Sequence, residues 1–84
     1  MRSKEITIEL ASGLEARPVA MLVQVASKYE SRIYIEYANK KVNAKSIMGM
    51  MSLVLPVGEK VTVTADGSDE ELAIENIERY LSAQ

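Results

Sequence analysis

The chain has 84 residues, 48% of them hydrophobic, and 10 basic against 12 acidic side chains give a net charge of −2. A length of this order holds one modest core, so a single domain over residues 1–84 is expected, and the acidic balance argues against direct nucleic-acid binding, which needs a clear positive excess facing the phosphates. Histidine and cysteine are both absent, which removes Ser-His and Cys-His nucleophile pairs, disulfides, and the usual ligands of zinc. No metal, no cofactor and no enzymatic activity are therefore expected, and a binding, carrier or regulatory module remains.

In chain order, Met1-Arg2-Ser3-Lys4-Glu5 runs into an alternating segment with no apolar stretch of the signal-peptide kind. Ile6, Ile8 and Leu10 alternate with Thr7 and Glu9, which predicts a strand with one wet face. Ser12-Gly13 breaks it. From about Ala16 to Lys28, Val19, Leu22, Val23 and Ala26 recur at spacings of three and four, which is helical. Ile33, Ile35 and Tyr37 form a second strand. Ala38-Asn39-Lys40 then reads as a turn, with Asn39 suited to a positive φ, into a short third strand around Lys41-Val42-Asn43. Ser46 to Leu53 is short and marked by Gly49, so it predicts one or two helical turns capped by Ser46. Pro56 and Gly58 mark a turn. Val61, Val63 and Ala65 alternate with threonines in a fourth strand. Ser68-Asp69-Glu70-Glu71 has the spacing of a capping box, with Ser68 as cap, opening a helix whose stripe is Ala73, Ile74, Ile77, Tyr80 and Leu81. The order β-α-β-β-α-β-α, with one-sided strands, predicts an α/β two-layer sandwich with an antiparallel sheet covered by helices on one face. The apolar runs Val19–Val23 and Leu53–Val57 are far shorter than the roughly 20 residues of a membrane span. A cytoplasmic protein without membrane attachment is expected.

Three features of this scaffold bear on chemistry. The first is Gly13-Leu14-Glu15-Ala16-Arg17-Pro18. Proline is tolerated in the first helical turn, which favours a start with Glu15 as cap over an earlier start built on Ser12 and Glu15. Free N–H groups there, with the fork of Arg17 beside them, suit an anion or phosphate; the plain alternative is a helix start with one surface arginine. The second feature is Lys40-Lys41-Val42-Asn43-Ala44-Lys45-Ser46. Ser46 reads either as a structural cap or as a regulatory phosphoserine whose charge would meet the helix dipole and Lys45. The third is the run Ile47, Met48, Met50 and Met51, with Met21 elsewhere. Methionines commonly fill cores, but so short a helix buries one side only, and the remaining side chains would face water or a partner.

Together these residues resemble the HPr family, the histidine phosphocarriers of the bacterial sugar phosphotransferase system. Gly13 to Pro18 is similar to that family's active-site segment, and Lys45-Ser46-Ile47-Met48-Gly49-Met50-Met51-Ser52-Leu53 to its regulatory serine segment. The resemblance covers the whole chain and implies an open-faced β-sandwich with sheet order 1-4-2-3. One departure shapes the functional expectation. The family's phosphoryl-carrying histidine is here Glu15, so phosphocarrier activity should be lost: an acyl phosphate on a carboxylate is labile, and the negative charge repels the donor. Glu15 is either a neutral loss or a partial imitation of phosphohistidine charge.

The retained Arg17 and serine segment look like the family's regulatory branch, the catabolite repression HPr-like paralogues, which carry glutamine there. This implies phosphorylation of Ser46 by an enzyme similar to HPr kinase/phosphorylase and docking on a LacI-type regulator such as catabolite control protein A. The implied partner face comprises Arg17, Ala20, Met21, Gln24, Lys45, Ser46, Ile47, Met48 and Met51, and a homodimer is possible. The alternative is a binding competitor or allosteric partner of phosphotransferase or metabolic enzymes, with Ser46 serving only as a cap.

Overall fold

The computed structural model describes residues 1–10, 16–53 and 55–82. Its elements are β1 (Arg2–Thr7), α1 (Ala16–Ser27), β2 (Arg32–Tyr37), β3 (Lys40–Asn43), α2 (Ile47–Met51), β4 (Lys60–Asp66) and α3 (Glu70–Leu81). They follow the predicted order. The four strands form one antiparallel sheet in the order β1-β4-β2-β3, which is the order that the family resemblance implies. The register sets Ile6 against Val61, and Ile33 and Ile35 against Ala65 and Val63. Period-two alternation thus puts these aliphatic side chains on one face.

That face is covered by helices. α3 packs on β1 and β4, and α1 packs against both α2 and α3. Val19, Leu22 and Ala26 of α1 and Ala73, Ile74, Ile77 and Leu81 of α3 are buried in one continuous core with the strand residues. The other face of the sheet is polar: the Ser3 and Thr64 hydroxyls share a hydrogen bond of 3.0 Å, and the Lys41 ammonium sits 4.9 Å from the centre of the Tyr34 ring.

Local detail departs from expectation at four points. Ile8 and Leu10 lie beyond β1, which ends at Thr7. Ile8 is nonetheless buried, and its backbone bonds Glu59 and Gly58 (2.8 and 2.7 Å), so the chain stays extended after leaving the ladder. β3 begins at Lys40, one residue earlier than expected, so only Ala38 and Asn39 lie between the paired Tyr37 and Lys40. In that hairpin the left-handed residue is Ala38 (φ 54°), not Asn39.

The capping box at the start of α3 also shifts. The cap position is Asp69, and its side chain makes no cap hydrogen bond. Glu70 instead reaches back to accept from the Gly67 N–H at 3.2 Å, while Glu71 pairs with Arg2 at the surface.

The Asp69 carboxylate is drawn elsewhere. It accepts from the backbone N–H groups of Glu30 (2.9 Å) and Ser31 (3.0 Å) and from the buried Ser31 hydroxyl. This ties the loop before β2 to the turn before α3. Gly67 completes the junction, because a Cβ there would lie 2.6 Å from the Ser31 Cα. The Ser31 hydroxyl first, and then the Glu30 amide, hold the Asp69 carboxyl below its ordinary pKa.

A carboxyl whose pKa is lowered by folding adds stability that is complete above its unfolded value, about 3.9, and is lost as pH falls through the folded value. Thermal melts between pH 7 and pH 2 should therefore show wild type losing stability below about pH 4. Asp69→Asn should be less stable than wild type at pH 7 and should approach it at the acid end. A constant difference across the range would show that the carboxylate charge plays no part.

Candidate functional site

The serine segment is built from a short helix pinned at both ends. Ser46 has an extended backbone (φ −101°, ψ 111°), and its Oγ accepts from the Gly49 N–H at 3.2 Å, the expected cap geometry. Ahead of it, the Asn43 side-chain oxygen accepts from the Lys45 N–H at 2.8 Å, and the Asn43 carbonyl accepts from the Ser46 N–H at 3.0 Å. At the other end the Ser52 hydroxyl donates to the Gly49 carbonyl at 2.6 Å. Ser52 was not among the candidate residues; a serine directly after the last methionine was the signal that could have suggested a cap.

Within α2 the side chains sort sharply. Met50 is fully buried at 0% exposure, whereas Ile47, Met48 and Met51 are 45%, 84% and 44% exposed. Five residues of helix give one inward direction, and Met50 takes it. The other three form an apolar surface beside the cap. On α1, the neighbouring helix, Met21 is 49% exposed, Gln24 and Arg17 are exposed, and Ala20 is half-buried. α1 is described from Ala16, with Pro18 two residues further on. Ser12, Gly13, Leu14 and Glu15 lie outside the described residues, and so do the two readings of Glu15 and of the helix cap.

With Ser46 unphosphorylated, Lys45 has a partner that the sequence did not suggest. Its ammonium donates to the Tyr29 carbonyl, just past the end of α1. This fastens the approach to α2 onto α1. The contact spans 16 positions of sequence, so no local pattern announces it. Ser46 itself is half-buried. Among the described residues, no cluster of three or more acidic side chains is placed to hold a metal ion, and no helix is long and apolar enough to cross a membrane.

A one-sided antiparallel sheet of order 1-4-2-3, with a serine-capped short helix presenting an apolar surface, defines a small HPr-like protein. A family model described as "PTS HPr component phosphorylation site" matches residues 2–83, and the chain belongs to this PTS-HPr family. It is 43% identical to the HPr-like protein Crh of Bacillus subtilis (strain 168), over all of this chain and 99% of that one. Among solved structures it is similar to the phosphocarrier protein HPr from Bacillus anthracis str. Ames, with 45% identity, a TM-score of 0.91 and 95% of each chain covered. The crystal structure of Bacillus subtilis Crh, a dimer with a swapped domain, matches at 44% identity and a TM-score of 0.75, covering 96% of this chain and 93% of that one. The chain is thus similar both to phosphocarrier HPr and to the HPr-like protein Crh.

The two classes of methionine should separate in stability measurements. Met50→Ala should cost about 2–5 kcal/mol, as expected for a truncated core side chain. Met48→Ala and Met51→Ala should each stay within about 0.5 kcal/mol of wild type, as exposed substitutions do. Denaturant titrations of the three variants check this, and a loss on the core scale at Met48 or Met51 would remove those residues from the surface.

Proposed function

We propose that this protein is a non-catalytic regulator whose switch is phosphorylation of Ser46 by an HPr kinase/phosphorylase-like enzyme. The phosphorylated form acts as corepressor of a LacI-type transcription regulator, such as catabolite control protein A, in carbon catabolite repression. The observation that carries this reading is the pairing of a cap serine with three exposed apolar side chains, Ile47, Met48 and Met51, in one short helix. Similarity to Crh, whose structure bears the name catabolite repression HPr, supports it.

A phosphate on Ser46 adds a dianion and three acceptor oxygens beside that surface. An arginine or lysine of the regulator can bind it while the apolar side chains fill a shallow complement. Arg17, Ala20, Met21 and Gln24 extend the docking face along α1. The Lys45 ammonium, held on the Tyr29 carbonyl, positions α2 rather than neutralising the phosphate, which leaves the new charge for the partner. DNA contact belongs to the regulator, in keeping with the net charge of −2. Glu15 stands where the family's phosphocarriers have histidine, so the chain accepts no phosphoryl group there. Homodimerisation, as in Crh, is compatible with this role.

Incubation with ATP and an HPr kinase/phosphorylase, followed by peptide mass mapping, tests the switch. One phosphate on Ser46 is expected in wild type and none in Ser46→Ala, and phosphoenolpyruvate with enzyme I should transfer no stable phosphate. Absence of Ser46 phosphorylation would leave Ser46 as a helix cap and favour the reading as a competitor of phosphotransferase or metabolic enzymes. Robust labelling of Glu15 would restore a carrier function.

A further inference from the structure

The exposed face of α2 is unusual in what makes it apolar. Two of its three large exposed side chains, Met48 and Met51, are thioethers, and the exposed Met21 adds a third on α1. Methionine is the one apolar aliphatic side chain that a mild two-electron oxidant makes polar: the sulfoxide carries a strong dipole and accepts hydrogen bonds. Reaction requires the oxidant to reach the sulfur, and exposure therefore decides which residues react. Met48 is 84% exposed, while Met50, two positions away in the same helix, is at 0%.

We infer that the exposed face of α2 and α1 is an oxidation-sensitive site, at which peroxides convert Met48, Met51 and Met21 to sulfoxides and make the face polar while the fold stays intact. A lone pair of the thioether sulfur attacks one oxygen of the peroxide, and the O–O bond breaks as the S–O bond forms. With hydrogen peroxide, the departing hydroxide takes up the proton that the newly sulfur-bound hydroxyl releases and leaves as water, giving the sulfoxide. Sulfur is oxidised by two electrons and the peroxide is reduced by two. Met50 escapes because it lies in the core, so Ser46 keeps its cap on a helix that remains anchored. The consequence for signalling, loss of docking under oxidative conditions, rests on the docking reading above. The chemistry and its effect on the surface do not.

The test uses the full chain and hydrogen peroxide at neutral pH, with time-resolved peptide mass mapping. Met48 should oxidise first together with the equally open Met1 outside this face, Met21 and Met51 next, and Met50 at least tenfold more slowly than Met48. Oxidised protein should elute earlier than untreated protein from a hydrophobic-interaction column, with the same circular dichroism and a cooperative thermal transition. A Met21→Leu, Met48→Leu, Met51→Leu triple variant, in which the exposed Met1 can still react, should show a much smaller shift in retention than wild type after the same treatment. Oxidation of Met50 at the rate of Met48, unfolding on surface oxidation, or unchanged retention of oxidised wild type would each overturn the inference. Failure of the unoxidised, phosphorylated protein to bind the regulator would instead count against the docking reading and leave the oxidation pattern standing.

Discussion

Five residues of helix offer one inward direction, and in α2 that direction belongs to Met50. The remaining character of the site depends on this constraint. With Met50 seated in the core, Ile47, Met48 and Met51 must point outward, and the helix keeps an apolar surface that it has no means to bury. Removing apolar area from water is worth roughly 25 cal/mol per Å², so that surface is a standing preference for a partner. Ser46 and Ser52 hold the two ends through hydroxyl contacts with Gly49, and the surface is therefore presented in a fixed shape. Such preorganisation lowers the ordering cost of binding.

The rest of the domain isolates this surface from the fold. The core depends on one-sided strands and on the stripes of α1 and α3. The junction of Gly67, Ser31 and Asp69 ties the start of β2 to the end of β4 by close approach and by charge-assisted hydrogen bonds. A phosphate at an exposed helix start gains about 0.3–1 kcal/mol from the dipole, which is too little to remodel such a core. Modification of Ser46 therefore acts by adding a contact, and oxidation of the exposed thioethers would act by spoiling one. Both leave the scaffold as it is.

Much of this was legible in the sequence. β2 and β4 alternate cleanly, so their buried faces follow from Ile33, Ile35, Val61 and Val63, and the stripe of α3 follows from Ala73, Ile74, Ile77 and Leu81. The cap role of Ser46 and the incomplete burial of the methionines were also readable from local length and spacing, while the choice of Ile47, Met48 and Met51 as the outward ones came with the family resemblance. Sheet order was not readable from periodicity: β1 pairs with β4 across some 60 residues (Ser3 against Thr64), and only the family resemblance supplied it. The same limit explains the misplaced cap of α3. Glu30 and Ser31 lie 38 or more positions from Asp69, and their N–H groups claim the carboxylate of the residue that takes the cap position in place of Ser68. The contact of Lys45 with the carbonyl of Tyr29 was hidden for the same reason. Glu15, where the departure from the phosphocarriers lies, is outside the described residues, so its role rests on its chemistry alone.

The central claim is that phosphorylated Ser46 and the apolar face of α2 together form one docking surface for a LacI-type regulator. Titration of a fluorescently labelled regulator with the phosphorylated and unphosphorylated protein measures this most directly. The account predicts at least tenfold tighter binding of the phosphorylated form, about 1.4 kcal/mol, and preferential weakening of that gain by salt. Equal affinity of the two forms would contradict it.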